Sequence, residues 1–194
     1  MSGALAELGP ADRHRVVAAR FAAVTRSIAD WDGPSPVPEW TAREVVGHLA
    51  WFRGLLHGGA AIDLPAGPAV DADPVAAWAS QAASVQALLD DPATAGRVLS
   101  NPHIGDVPLP EAVDRFYTTD VFLHTWDLGR AAGVDPELDE EYAVHVLDGM
   151  RSVEAMLRGS GQYGPAKPVA ADAPVQDQLA AFIGRDPSWR AAGS

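Results

Sequence analysis

The sequence predicts an all-α fold, an antiparallel helical bundle with an additional C-terminal helix and an irregular tail that packs on it. Three observations carry this. Apolar residues recur at three- and four-residue spacing in five stretches. Proline- and glycine-rich segments separate those stretches. The chain of 194 residues, 47% hydrophobic and 21% charged, is long enough to bury a real core as one domain.

The first stretch runs from Pro10 to Trp31, where Val17, Phe21, Val24, Ile28 and Trp31 make one stripe, and the prolines after Asp32 end it. Thr41 with Glu44 makes a capping box that opens a second helix. It carries Val45, Leu49, Phe52 and Leu56 on one face and fades at Gly58-Gly59. A connection from Asp63 to Asp73 is unusually long for packed helices. Pro74 then starts a third helix with the stripe Val75, Trp78, Ala82, Val85 and Leu89, which Asp90-Asp91-Pro92 ends. Two β-capable runs, 97–99 and 104–109, fit a small β-hairpin or a plain loop before the fourth helix. That helix runs from Pro110 to about Ala132, with Gly133 as the residue that closes it. A fifth spans about Leu138 to Arg158. The bundle thus occupies residues 1–158, and residues 159–194 form a Gly/Pro-rich tail with a short helix around Val175 to Ile183.

Composition excludes several functions. The net charge of −12 repels nucleic acid and anionic membrane surfaces alike. With no Cys there is no disulfide, thiolate metal site, iron–sulfur cluster or cysteine nucleophile, so thiol chemistry requires a thiol from outside. No segment approaches a membrane span and the N-terminus lacks a secretory pattern, so a cytoplasmic location is expected.

The fourth helix breaks its own apolar stripe. At about 100° per residue, Val113, Tyr117, Val121, Leu128 and Ala131 lie within roughly 60° of His124, yet Asp120 and Asp127 lie on the same face. A buried carboxylate must be paired, hydrogen-bonded or bound to a metal. The second helix places His48 beside its core stripe, while His57 points to the opposite side. His48 with Asp120 and His124, the last two one turn apart, would make a two-imidazole, one-carboxylate site for a divalent ion with positions left open. Asp127 would stand behind His124 and fix its tautomer. The plainer readings are a metal-free Asp–His tie between helices, and an ion pair of Asp127 with Arg130 or Arg151.

Two segments carry a family resemblance. Trp40-Thr-Ala-Arg-Glu-Val-Val-Gly-His48-Leu-Ala, followed by Asp120-Val-Phe-Leu-His124-Thr-Trp-Asp-Leu-Gly-Arg-Ala, resembles the DinB-like metal-binding domain of mycothiol-dependent maleylpyruvate isomerase relatives. The ending, from Tyr163-Gly-Pro-Ala-Lys-Pro-Val to Gly184-Arg-Asp-Pro-Ser-Trp189, resembles the tail of a subgroup of them. The resemblance implies a DinB-like four-helix bundle with a divalent metal at its end, most often zinc with nickel as the alternative, held by His48, Asp120 and His124. It further implies mycothiol as cosubstrate. The isomerase has Glu where this chain has Asp120, one methylene shorter. The tail is also too short for the isomerase's C-terminal domain, which argues against maleylpyruvate as the substrate.

Other residues admit a functional and a plain role. Trp51, Phe52, Trp78 and Trp126 either line a pocket or fill the core, and Asn101 and His103 either roof the site or face solvent. Arg53 and Arg130 either bind a substrate carboxylate or pair with acids, while His14 and His145 have no carboxylate at ligand spacing. The leading reading is a metal-dependent isomerase or thiol transferase whose partners are a small-molecule thiol and an electrophile. A metal-activated-water hydrolase uses the same ligands, and a non-enzymatic metal-binding or stress-response module stays open, as does a homodimer.

Overall fold

In a computed structural model of the chain, residues 4–159, 161 and 163–191 are described; Ser160, Gln162 and the last three residues of the expected tail lie outside them. The protein is mostly helical with one small hairpin. Helices α1 (Pro10–Thr25), α2 (Ala42–His48), α3 (Trp51–Ala60) and α4 (Pro74–Asp90) precede strands β1 (Val98–Asn101) and β2 (Gly105–Pro108). A continuous helical run follows: α5 (Leu109–Ala112), a π-helical turn (Val113–Thr118) and α6 (Thr119–Ala131). Helices α7 (Glu140–Ser152), α8 (Glu154–Gly159) and α9 (Val175–Phe182) complete the chain.

The first helix is shorter than its stripe. Val17, Phe21 and Val24 are buried, but α1 ends at Thr25, and Ile28 and Trp31 reach the core from the turns that follow. Their apolar spacing reports burial, which a loop can also supply. The capping box forms as expected: Glu44 N–H donates to Thr41 Oγ1 at 3.2 Å and Thr41 N–H to Glu44 Oε2 at 2.7 Å. The single helix expected after it is two, because Leu49 and Ala50 N–H bond three residues back, to Val46 and Gly47 at 3.2 Å each. The core face survives the break, since Val45, Leu49, Phe52 and Leu56 have no exposure. Each such burial contributes about 1.5–3 kcal/mol.

The hairpin forms, with Leu99 opposite Val107 and Asn101 opposite Gly105. Leu99 is buried, and β1 lies on α3 so closely that a Cβ on Gly59 would stand 2.9 Å from the Ser100 carbonyl oxygen. Only glycine allows that approach.

Apolar spacing carries no sign of the π-helical turn. It is wider than an α-turn, so angular positions upstream of Thr119 do not carry over to Asp120. Beyond it α6 is buried all round from Val121 to Gly129, walled by α1, α2 and α9. Gly133 (φ 71°) ends the run as expected, its N–H donating to Arg130 O. The fifth helix also differs: Asp139 caps α7 by accepting from Tyr142 N–H at 2.8 Å, and Val153 (φ −122°) separates it from α8. From the tail, α9 packs on α7 and α6.

Candidate metal centre

The break between α2 and α3 sets His48 at the end of one helix and Trp51 at the start of the next, both facing the first turn of α6. There His48 Nε2 lies 3.4 Å from Asp120 Oδ2, and His124 Nε2 lies 3.5 Å from Asp120 Oδ1. One ligand atom from each of His48, Asp120 and His124 falls within 4.8 Å of the other two. These separations exceed good hydrogen bonds. The two His–Asp separations, each to a different oxygen of Asp120, are near the spacing of about 3.3 Å between donors placed tetrahedrally at about 2.0 Å from one ion, and the set as a whole is looser.

The His124 ring settles which nitrogen is available. Its Nδ1 lies 2.8 Å from Asp127 Oδ2, and a carboxylate can only accept, so Nδ1 carries the proton and donates. Nε2 is thereby left toward Asp120, the arrangement of a ligating imidazole held from behind by a carboxylate. Asp127 has no solvent exposure and is clamped in turn by Arg185, whose Nε donates to Oδ1 at 2.9 Å and Nη2 to Oδ2 at 3.2 Å.

The charges follow from these contacts. Burial opposes the Asp127 carboxylate, but Arg185 and then His124 hold its pKa below the ordinary value. Burial likewise opposes Asp120, and His124 followed by His48 outweigh it. For His124 burial disfavours the cation, yet Asp120 and Asp127 raise the pKa above 6.5. An imidazole between two carboxylates needs a positive charge, and either a second proton or a cation at Nε2 supplies it. Two imidazole nitrogens and one carboxylate are donor types that a divalent ion takes, while a second proton on His124 satisfies the same charges in a metal-free Asp–His tie.

Aromatic side chains frame the centre. Trp40 lies 4.8 Å from the His48 ring and 6.0 Å from the His124 ring, centroid to centroid. Trp51 is 38% exposed and donates from Nε1 to Asp120 Oδ2 at 2.8 Å. The Tyr163 hydroxyl is pushed up to about 12, first by burial and then by the Asp120 charge.

The structure thus gathers His48, Asp120, His124 and Asp127, and brings Trp51 to them. Phe52, Trp78 and Trp126 are core, exposed by 2% at most. His57 faces outward to Asp63 at 2.7 Å. Asn101 Oδ1 accepts from His103 N–H in the hairpin turn, where His103 is exposed. Arg130 and Arg151 pair with Asp177 and Asp148, so the arginine on Asp127 is neither of the two expected. Apolar spacing does not single out Arg185 or Trp40, although each stands in a segment that carries the resemblance. Nothing in the spacing ties a tail arginine to α6.

A helical bundle with an aromatic-framed His/Asp/His cluster, open at His48, defines the class: a bundle protein with a candidate metal centre. The model of the mycothiol maleylpyruvate isomerase N-terminal domain matches residues 11–129, and the chain belongs to that family. Its curated relatives include two uncharacterized proteins of Mycobacterium tuberculosis, one from each of two strains. Each is 34% identical over 184 residues, covering 92% of this chain and 98% of the relative. No solved structure matches. Among the described residues, no helix is long and apolar enough to cross a membrane.

Proposed function

We propose that this protein binds one divalent metal, zinc or nickel, through His48, Asp120 and His124, and uses it to act on a low-molecular-weight thiol of the mycothiol type. The observation that carries the reading is the direction of the His124 ring: Nδ1–H donates to Asp127, which leaves Nε2 with the other two donors. A divalent ion there supplies a Lewis-acid position that lowers the pKa of a thiol or a water. The family supports a thiol, and so does a chain without Cys, in which no protein sulfur competes for the centre.

The surrounding residues fit that role. Trp51 Nε1 holds one oxygen of Asp120 and orients the carboxylate between the two imidazoles. Arg185 keeps Asp127 anionic and in place, and Asp127 keeps His124 in one tautomer. Trp40 packs on both imidazole rings, while His48, one third exposed, and the exposed Trp51 mark the accessible side. Tyr163, its hydroxyl near 12, remains protonated at neutral pH and can donate a hydrogen bond but not act as a base. A thiol or a water whose pKa is lowered by the ion needs no separate base, so the preference for thiol transfer or isomerisation over metal-assisted hydrolysis rests on the family.

Mycothiol with a chromogenic aryl halide tests this reading on tag-free, zinc-loaded protein. Displacement of halide by the thiol sulfur should be faster than in buffer, and Asp120→Ala should abolish the acceleration. A zinc-loaded protein inert toward mycothiol and a range of electrophiles favours a metal-binding module without catalysis.

A further inference from the structure

Arg53 stands on the far side of α3 from the metal centre. It follows Trp51 by two residues, about 200° round the helix. Trp51 faces Asp120, whereas Arg53 faces α4 and the connection before it. Of the arginines that are buried or half-buried among the described residues, Arg13, Arg43, Arg130, Arg158 and Arg185 each have a carboxylate partner. Arg53 has none. Its Nε donates to Gln81 Oε1 at 2.7 Å, and its Nη1 to the carbonyl oxygens of Leu64 at 3.3 Å and Pro65 at 2.6 Å. Nη2 makes no hydrogen bond among the described residues.

The same guanidinium lines a cavity of 270 Å³ between α3, α4 and the connection, walled by Ala50, Gly67, Ala69, Trp78 and Gln81 among others. None of its lining residues is acidic, in a chain with 26 Asp and Glu. Small side chains make the space and leave the walls mostly apolar. Neutral acceptors fix the guanidinium in place without cancelling its charge, and the apolar walls strengthen its field.

We propose that this cavity binds a small monocarboxylate with a short apolar body, gripped by Arg53 at a site distinct from the metal centre. With Nε and Nη1 donating to protein oxygens, Nη2 is left to give a charge-assisted hydrogen bond to one carboxylate oxygen, backed by the full guanidinium charge. One positive charge within a net of −12 selects a monoanion over a multiply charged ion, and the apolar walls select a carbon chain over inorganic anions. The volume lies below the roughly 300–1,000 Å³ of drug-sized sites, which suits a ligand of few atoms.

The probe is sodium butanoate, titrated into isotope-labelled full chain and followed by backbone and indole amide NMR shifts. The expected result is saturable shifts confined to 66–70, Arg53 and 77–81, with a dissociation constant on the order of 1 mM. Butanamide and inorganic phosphate should produce no saturable shift there. Arg53→Gln should weaken binding at least about tenfold. Ala69→Leu, which narrows the cavity and leaves Arg53 intact, should do the same, so the test stands even if the Arg53 variant misfolds. His124→Ala should bind butanoate as the parent protein does, which separates this site from carboxylate ligation at the metal centre. Equal binding of butanamide, undiminished binding in both cavity variants, loss of binding in His124→Ala, or no saturable shift with butanoate each overturns the proposal.

Discussion

Arg185 grips both carboxylate oxygens of Asp127, at 2.9 and 3.2 Å, across 58 residues of chain. Asp127 in turn holds His124, so a tail residue reaches the candidate metal centre through one buried carboxylate. The tail thus contributes to the centre even though the family match ends at residue 129.

That chain of contacts separates two variants. Asp127→Asn should leave the ligands in place and weaken zinc binding by roughly 10- to 100-fold, because His124 loses a charged acceptor and some basicity. Arg185→Met should instead act on stability, by about 3 kcal/mol, since it strips a buried carboxylate of its arginine. Competition with a chromophoric chelator reads the first and urea denaturation the second. An unchanged zinc affinity in Asp127→Asn would remove Asp127 from the centre.

Gly59 tests the packing of the hairpin on α3. In Gly59→Ala the new methyl meets the Ser100 carbonyl oxygen at 2.9 Å and the Leu99 side chain at 3.1 Å, and a backbone carbonyl cannot swing aside. A loss of about 1–3 kcal/mol in urea denaturation is expected. An unchanged or raised midpoint would mean that β1 does not lie on α3 as described.

His14 gives a pH dependence away from the centre. Burial is the main cause that lowers its pKa from 6.5, and its hydrogen bond with Gln86 only partly offsets it. The unfolded chain therefore binds the proton more readily, and the linked stability is full above pH 6.5 and lost as pH falls through the depressed folded value. Denaturation midpoints of the parent protein and His14→Asn should converge between neutral and mildly acidic pH. Parallel curves would contradict the assignment.

The core and the cluster were legible for different reasons. Val45, Leu49, Phe52 and Leu56 kept their common face through a helix break, because the break preserved the side on which they lie. Asp120 and His124 were legible as neighbours since one helical turn links them locally, and His48 followed from its place beside a core stripe. What the pattern missed is what it cannot encode. Ile28 and Trp31 continue the stripe of α1 in a loop, and the π-turn before Thr119 leaves no mark in apolar spacing. Trp51 and Trp78 look alike by spacing, yet one is exposed at the centre and the other buried. Arg185 is positioned by the tertiary packing of the tail, where no periodicity points to a partner.

Metal content of tag-free protein, measured beside His124→Ala after both are incubated with zinc at neutral pH, bears most directly on the centre. Neutral pH matters because protons compete for the imidazoles. The parent protein should retain one ion per chain and His124→Ala none, with both keeping their helical circular dichroism because apolar burial holds the bundle together. A parent protein that stays empty after incubation with zinc and with nickel, or a His124→Ala protein that retains the ion, would contradict the metal centre.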